Sequence, residues 1–293
     1  MERISGSIPA LVTPFRDEAF DEAAFRSFVE WQISEGSHGL VPCGTTGESA
    51  TMSAAEQQRV ISVCVEVANG RVPVIAGCGS NSTAMVKEHM KAAEGAGADA
   101  ALVVLPYYNR PNQEGIYAHF AALAEASALP IVVYNVPGRT VTDILPETLG
   151  RLAALPNIVA IKDASGNLAR VSAHRLLCGA DFIQLSGNDD MALGFLAMGG
   201  AGTISVTANV APRLFAAFHD AYLSGDRDTA LEIQDRLFPL HAALFTDASP
   251  GPVKYALNRV RPEMSAELRL PMTPPSPASR KAVDAALEHA GLI

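Results

Sequence analysis

Short apolar runs alternate with helix-period segments along most of this chain. The runs fall at 8–12, 39–41, 74–76, 101–105, 131–134, 158–161, 182–185 and 202–205. Between them, apolar residues recur at helical spacing near 21–35, 53–68, 82–96, 113–127, 146–154, 168–178, 189–198 and 210–224. Unbroken apolar runs bounded by turn formers suit strands buried on both faces. The run starts lie roughly 20 to 35 residues apart, the length of one strand–helix unit. Helix starts are marked as well. Asp21 precedes an apolar-periodic segment, Ser53-Ala-Ala-Glu56 reads as a capping box, and Pro146 suits a first helical turn.

Eight such alternations predict an α/β fold, a (β/α)8 TIM barrel over residues 1–224. The rival, an open doubly wound sheet, calls for a Gly-x-Gly-x-x-Gly after the first strand, which this chain lacks. Residues 225–293 read as a C-terminal helical extension packed on the barrel. Its helices are expected at 229–245, at 253–260 and, after a Pro-rich turn at 274–277, at 280–290.

Composition narrows the function classes. The 293 residues are 48% hydrophobic and 18% charged, enough for one large core. The net charge of −9 argues against a nucleic-acid or anionic-membrane surface. No apolar run approaches the roughly 20 residues needed to span a bilayer, and the first six residues, Met1 to Gly6, hold no signal-peptide core. Cys43, Cys64, Cys78 and Cys178 form no Cys-x-x-Cys pair and read as reduced thiols of a cytoplasmic protein. The histidines show no ligand spacing, so no metal and no cofactor is expected.

The candidate chemistry centres on the run 158–161, which leads into Lys162 and then Asp163-Ala-Ser-Gly-Asn167. Side chains alternate along a strand, so Ile158, Ala160 and Lys162 share one face, and small Ala160 leaves room beside the lysine stem. A strand-end lysine in dry surroundings is a candidate nucleophile, because burial disfavours the ammonium form. The bland alternative is a lysine snorkelling from a strand end. Elimination favours the first reading. Of five lysines, Lys87 and Lys91 sit in a polar helical pattern and Lys254 and Lys281 in helix-like segments; only Lys162 ends a buried-type strand.

Barrel enzymes place their chemistry at the C-terminal ends of the strands. After the second run, Gly44-Thr-Thr-Gly47 sets two hydroxyls between glycines, a sequence that can form an anion-binding nest or an ordinary turn. After the fourth, Tyr107, Tyr108 and Arg110 lie in a Pro-bounded loop, suited to an interface or to substrate contacts. Tyr134 ends the fifth run, beside the strand of Lys162, where a phenol can pass protons; the alternative is a core tyrosine with a satisfied hydroxyl. Arg139 follows in a turn and can fork onto a carboxylate. Gly199 and Gly200 precede the eighth run and fit a helix C-cap better than a phosphate site. Taken together, these residues point to a metal-free aldol-type reaction. Lys162 attacks a keto acid, the nest holds its carboxylate, Tyr134 shuttles protons and Arg139 holds a second anionic group.

Five motifs in order carry a resemblance to a known family. They are Gly44-Thr-Thr-Gly-Glu-Ser49, Tyr107-Tyr-Asn-Arg-Pro111, Tyr134-Asn-Val-Pro-Gly-Arg-Thr140, Ile161-Lys-Asp-Ala-Ser-Gly-Asn167 and Gly202-Thr-Ile-Ser-Val-Thr-Ala-Asn209. In them the chain resembles the dihydrodipicolinate synthases, from Gly6 to its C-terminus. The resemblance implies condensation of pyruvate with L-aspartate 4-semialdehyde to 4-hydroxy-tetrahydrodipicolinate, in diaminopimelate and lysine synthesis. It implies a homotetramer, a dimer of dimers. It makes Lys162 the Schiff-base residue, and Tyr134, Thr45 and Tyr108 a proton relay, with Tyr108 reaching a neighbouring subunit's site. It assigns Thr46 to the pyruvate carboxylate, Arg139 to the semialdehyde carboxylate, and the backbone of Gly187 and Ile204 to the pocket wall.

Related pyruvate-dependent lyases of sugar acids, the N-acetylneuraminate and 2-keto-3-deoxy acid types, share the Gly-rich loop and the lysine. The neuraminate lyase lacks the Gly-Arg-Thr continuation seen at Gly138-Arg139-Thr140. A non-catalytic metabolite-sensing barrel would be expected to lose Lys162, Tyr134 or Thr45, and all three are present. In lysine-regulated relatives an effector site lies near the Gly-rich loop, and its positions here are Ser49, Ala50, Ala54, Gln57, Asn81, Met85 and Tyr107. Ser49, Asn81 and Tyr107 keep the family pattern. Ala54 and Gln57 stand in place of histidines, and Met85 in place of a glutamate.

Overall fold

A computed structural model describes residues 4–293. Its strands are β1 (Gly6–Pro9), β2 (Phe15–Arg16), β3 (Ala19–Phe20), β4 (Ile75–Gly77), β5 (Ala100–Val104), β6 (Ile131–Asn135), β7 (Ile158–Asp163), β8 (Ile183–Ser186) and β9 (Gly202–Ser205). Seven of them form one parallel sheet in the order β1-β9-β8-β7-β6-β5-β4. Residues 40–41 join the two edges. Val41 bridges in parallel to Ala10 and Leu40 to Val74, with Val41 N–H donating to Pro9 O at 2.9 Å and Ile75 N–H to Leu40 O at 2.8 Å. The second expected strand is therefore present as an eighth stave, with two bridged residues of the run 39–41. One further bond, from Gly77 N–H to Pro42 O at 2.9 Å, follows before Cys43 turns left-handed at φ +56°.

The helices are α1 (Glu22–Ser34), α2 (Ala54–Ala68), α3 (Thr83–Gly95), α4 (Gln113–Ala126), α5 (Pro137–Thr140), α6 (Pro146–Ala153), α7 (Ala169–Cys178), α8 (Ala192–Ala197), α9 (Pro212–Ser224), α10 (Arg227–Ala243), α11 (Gly251–Val260) and α12 (Pro277–Ala290). The local signals behind them are physical. Asp21 caps α1 through Ala24 N–H, and Ser53 and Glu56 form both halves of the capping box of α2. Gly199 sits just past the end of α8 with φ +98°, the helix C-terminus role expected of it.

Two features were not legible. The β2–β3 hairpin turns through Asp17 and Glu18, both at positive φ, where a two-residue turn usually shows Asn-Gly or Asp-Gly. The single turn α5 falls directly after β6, too short to leave a period.

Burial separates an inner and an outer core. Ile8, Val41, Ile75, Ala100, Leu102, Val132, Ala160, Leu185 and Ile204 fill the barrel interior. Phe25, Phe28, Val60, Val86, Phe120, Leu149, Phe215 and others fill the layer between strands and helices. This is the two-sided burial that the unbroken apolar runs imply. The extension docks α10 on α9 and α12, and α11 on α12 and on the 3-10 turn Thr207–Asn209 just after β9. That turn is tied to the end of β1: Asn209 Oδ1 accepts from Val12 N–H at 3.0 Å, and Asn209 Nδ2 donates to Ala10 O at 2.8 Å. Among the described residues no helix is long and apolar enough to cross a membrane.

Barrel closure brings two backbones unusually close. A Cβ added at Gly77 would lie 2.1 Å from Cys43 O, and neither backbone has a flexible end to move aside. Gly77→Ala should therefore cost about 3 kcal/mol, at or above the usual range for overpacking, and lower the thermal midpoint. An unchanged midpoint would show that the residue 40–43 stave gives way freely.

Candidate active site

Parallel register aligns the key side chains. Tyr134 of β6 pairs with Lys162 of β7, and Lys162 in turn with Leu185 of β8. Both Tyr134 and Lys162 are buried, at 8% and 7% exposure, on the inner face that carries Val132 and Ala160 below them. Lys162 Nζ stands 4.1 Å from the Tyr134 ring centroid. The amine makes no hydrogen bond or ion pair with any described residue; it opens on a cavity of about 120 Å³.

That cavity gathers residues from distant parts of the chain. Thr45 and Thr46 come from the Gly-rich loop, Arg139 from α5, and Gly187 and Asn188 from the end of β8. Val206 follows β9, and Phe245 and Ser249 belong to the C-terminal extension. Ile204 is buried within β9 and does not line it; its neighbour Val206 does. Gly187 lies tight against the lysine stem, since an added Cβ would be 3.2 Å from Lys162 Cε and 2.7 Å from Ala164 Cβ. Phe245 and Ser249 left no mark in the sequence, because they lie in the link between α10 and α11, away from any strand end.

The strand ends are braced from behind. Asp163, next to Lys162, is buried and accepts from Arg170 Nε at 2.9 Å and from Ser165 N–H at 2.7 Å. Arg170 also pairs with Asp143 at 3.2 Å, and Asn135 Nδ2 donates to Asp143 Oδ1 at 2.8 Å. This chain of polar contacts locks the end of β6 to the end of β7 and so fixes the Tyr134–Lys162 geometry. Across the site, Asp189 Oδ2 accepts from the N–H groups of Val206 and Thr207 at 3.0 and 2.8 Å, tying the loop after β8 to that after β9.

Other nucleophiles drop out. Cys43 is the thiol closest in sequence to the Gly-rich loop, and burial pushes it well above its usual range. Lys254, expected in a helix-like segment, is more deeply buried than Lys162, at 1%. Lys254 is disqualified by its partner instead: Nζ lies 2.6 Å from Glu48 Oε1 and does not face the cavity. A lysine in a helix-like segment gave no hint of such burial. Among the described residues no cluster of His, Cys, Asp or Glu could hold a metal ion.

Tyr108 stands apart from this constellation. It is 91% exposed, with φ +70°, and lines neither this cavity nor its neighbour. The neighbouring cavity, about 430 Å³, is lined by Ser49, Ala50, Ala54, Gln57, Met85 and Tyr107, and shares Thr45, Val136 and Arg139 with the first. Asn81 is outside it; its carbonyl accepts from Asn109 Nδ2 at 2.8 Å.

Comparison with known proteins agrees with this geometry. The chain is 72% identical over 288 residues to a 4-hydroxy-tetrahydrodipicolinate synthase of Rhizorhabdus wittichii, covering 98% of this chain and 99% of that one. It superposes on the chloride-inhibited dihydrodipicolinate synthase of Acinetobacter baumannii, solved with pyruvate, with a TM-score of 0.96 at 43% identity, over 99% and 100% of the two chains. It superposes equally well on the lysine-bound enzyme of Cyanidioschyzon merolae, with a TM-score of 0.95 at 37% identity and 99% coverage of both. Residues 3–290 match the Dihydrodipicolinate synthetase family as a whole, and the chain belongs to that family.

Proposed function

We propose that this chain condenses pyruvate with L-aspartate 4-semialdehyde to 4-hydroxy-tetrahydrodipicolinate, using Lys162 as the Schiff-base residue. The observation that carries the reading is the buried, unpaired Lys162 amine 4.1 Å from the Tyr134 ring at the floor of a cavity that also holds Thr45, Thr46 and Arg139. The amine adds to the ketone of pyruvate, and loss of water leaves an iminium. That cation acidifies the methyl group, which gives up a proton to the relay to form an enamine; the enamine carbon attacks the aldehyde, and the relay returns the proton to the new alkoxide. The amine of the semialdehyde then displaces Lys162 and closes the ring, so the net reaction releases one water. Thr46, buried beside the cavity, holds the pyruvate carboxylate. Arg139, at the mouth, forks onto the carboxylate of the second substrate. Tyr134, Thr45 and Tyr108 pass the protons. Gly187 contributes backbone to the wall, because any side chain there would press on the Lys162 stem, and Val206 takes the place expected of Ile204.

Borohydride reduction in the presence of pyruvate should leave a pyruvyl mass on Lys162, read by peptide mass spectrometry. Lys162→Ala should take no label, and labelling of that variant would end the assignment. A coupled assay should show turnover with aspartate semialdehyde and none with N-acetylneuraminate; the reverse preference would place the chain among the sugar-acid lyases.

The exposure and positive φ of Tyr108 support a site completed between subunits, in a dimer of dimers. A bulky aromatic residue seldom adopts this left-handed conformation, and at 91% exposure the Tyr108 ring gains no burial within one chain. Mixing Tyr108→Phe with Lys162→Ala subunits under exchange conditions should restore part of the activity that each has lost. Proven exchange without recovery would show that each site is built within one chain.

Feedback by lysine should be weak. The larger cavity holds six of the seven effector positions, but Met85 offers a bound ammonium only a thioether. The Gln57 amide already donates to Ser49 O at 2.8 Å. Glu56, the nearest candidate to replace the missing acid, is committed to Ser53 N–H and to Arg269 at 2.6 Å, and these partners pull its carboxyl down to about 2. A missing partner for a buried charge costs about 2–5 kcal/mol, or roughly 30- to 5,000-fold in affinity. Half-inhibition is expected only above about 1 mM lysine, as for weak millimolar binding. Half-inhibition well below that would mean that another acid, Glu88 in the adjoining cavity, serves the ammonium.

A further inference from the structure

Outside the cavity, a buried polar cluster lies under the Gly-rich loop, and the chemistry above leaves it without a role. Glu48 is 4% exposed and held left-handed at φ +56°. Its Oε1 accepts from Lys254 Nζ at 2.6 Å, and its Oε2 from Arg269 N–H at 3.1 Å. Lys254, from α11, also donates to Thr13 O at 2.9 Å and lies 4.5 Å from the Phe15 ring centroid. The Arg269 guanidinium covers the same ring at 4.1 Å and reaches Glu56 at the start of α2. Beside the pair, Thr13 Oγ1 donates to Gly47 O at 2.8 Å. Glu48 N–H donates to Thr45 O at 3.1 Å, so the clamped residue is hydrogen-bonded to the threonine facing the cavity.

We propose that Glu48 and Lys254 are positioning residues. They pin the Thr45–Thr46 loop to the mouth of the barrel, which makes the C-terminal extension part of the pyruvate site. The inference rests on the reading of Lys162 and Thr46 as that site. A buried ion pair adds little net stability, since apolar groups of the same volume usually do as well or better. What these charges add is direction. Three oxygens from two segments (Glu48 Oε1 and, through Glu48, Thr45 O of the Gly-rich loop, and Thr13 O after β1) are fixed relative to one another, and no apolar pair would fix them. Lys254 touches neither cavity, so its effect on the reaction runs entirely through the loop.

The test replaces the pair by neutral groups in the full chain. Lys254→Met alone leaves an uncompensated buried carboxylate and should lower the thermal midpoint. Adding Glu48→Gln removes that charge and should recover most of the midpoint. Pyruvate KM should nevertheless rise about tenfold or more in the double variant, in line with the cost of a misplacement of about 1 Å, while the semialdehyde KM stays within about twofold. Equal rises in both KM values, or a folded double variant with unchanged pyruvate KM, would overturn the proposal. Glu48→Gln alone keeps shape and a weaker hydrogen bond; it leaves the buried Lys254 ammonium without its anion and should lower the midpoint, but it serves where the double variant does not fold. It should raise pyruvate KM selectively, and an unchanged value would count equally against the clamp.

Hydrogen exchange reads the clamp without the chemistry. Amides of residues 44–51 should exchange about tenfold faster in the folded variant, with β7 unchanged, as for a local opening; equal protection overturns the proposal. Failure of wild-type borohydride labelling at Lys162 would instead strike the pyruvate reading and leave the exchange result to judge the clamp.

Discussion

Parallel pairing of β6 with β7 is the constraint on which the site depends. A strand puts alternate side chains on alternate faces, so a slip of one residue would turn Lys162 outward among the helices. The observed register sets Tyr134 opposite Lys162. Two things hold it there. The inner faces of both strands are filled by Val132 and Ala160, which fit only on that side. The strand ends are closed by the Asp163–Arg170–Asp143–Asn135 chain of contacts, which a shifted strand could not make. Burial of Lys162 then follows from register and not from any local preference of lysine for the interior.

The apolar pattern made most of the frame legible, because a barrel strand is buried on both sides and shows as an unbroken run. The capping box at Ser53–Glu56 and the C-cap glycine at Gly199 were readable for a different reason: each is a local satisfaction of backbone groups, decided within a few residues. The failures share a cause too. The 15–20 hairpin depends on two residues adopting positive φ that most sequences reserve for Asn and Gly. The close approach of Cys43 at the end of the second stave depends on a glycine at position 77, some 35 residues away. The burial of Lys254 depends on Glu48, more than 200 residues away. Long-range pairings of this kind leave no periodic trace.

The candidate site divides along the same line. Lys162, Tyr134, Thr45, Thr46, Arg139 and Gly187 sit at strand ends or in the loops just after them, and the structure brings them to one cavity. Strand-end position is readable from sequence once the barrel is recognised. Phe245 and Ser249 reach the same cavity from the extension, and nothing in their spacing or type foretold it. Tyr108 is the converse case. Its residue type and loop attract attention, yet within one chain it points to no cavity. Its proposed role becomes intelligible only with a second subunit.

The geometry of the mouth shows why the extension cannot be treated as an appendage. The barrel supplies a rigid floor, because β6 and β7 are fixed by ladder hydrogen bonds and a packed interior. The Thr45–Thr46 loop has no such ladder: it leaves the second stave after two paired residues, through Cys43 and Glu48, both left-handed. A loop that must present hydroxyls to a small carboxylate needs its freedom removed by contacts from elsewhere. Thr13 supplies one from the β1 side, Gln57 another from α2, and Lys254 and Arg269 supply theirs from the extension. The apolar layers hold the barrel together, whereas the proposed placement of the Thr45 and Thr46 hydroxyls rests on a few directional bonds that cross from the last quarter of the chain to the first.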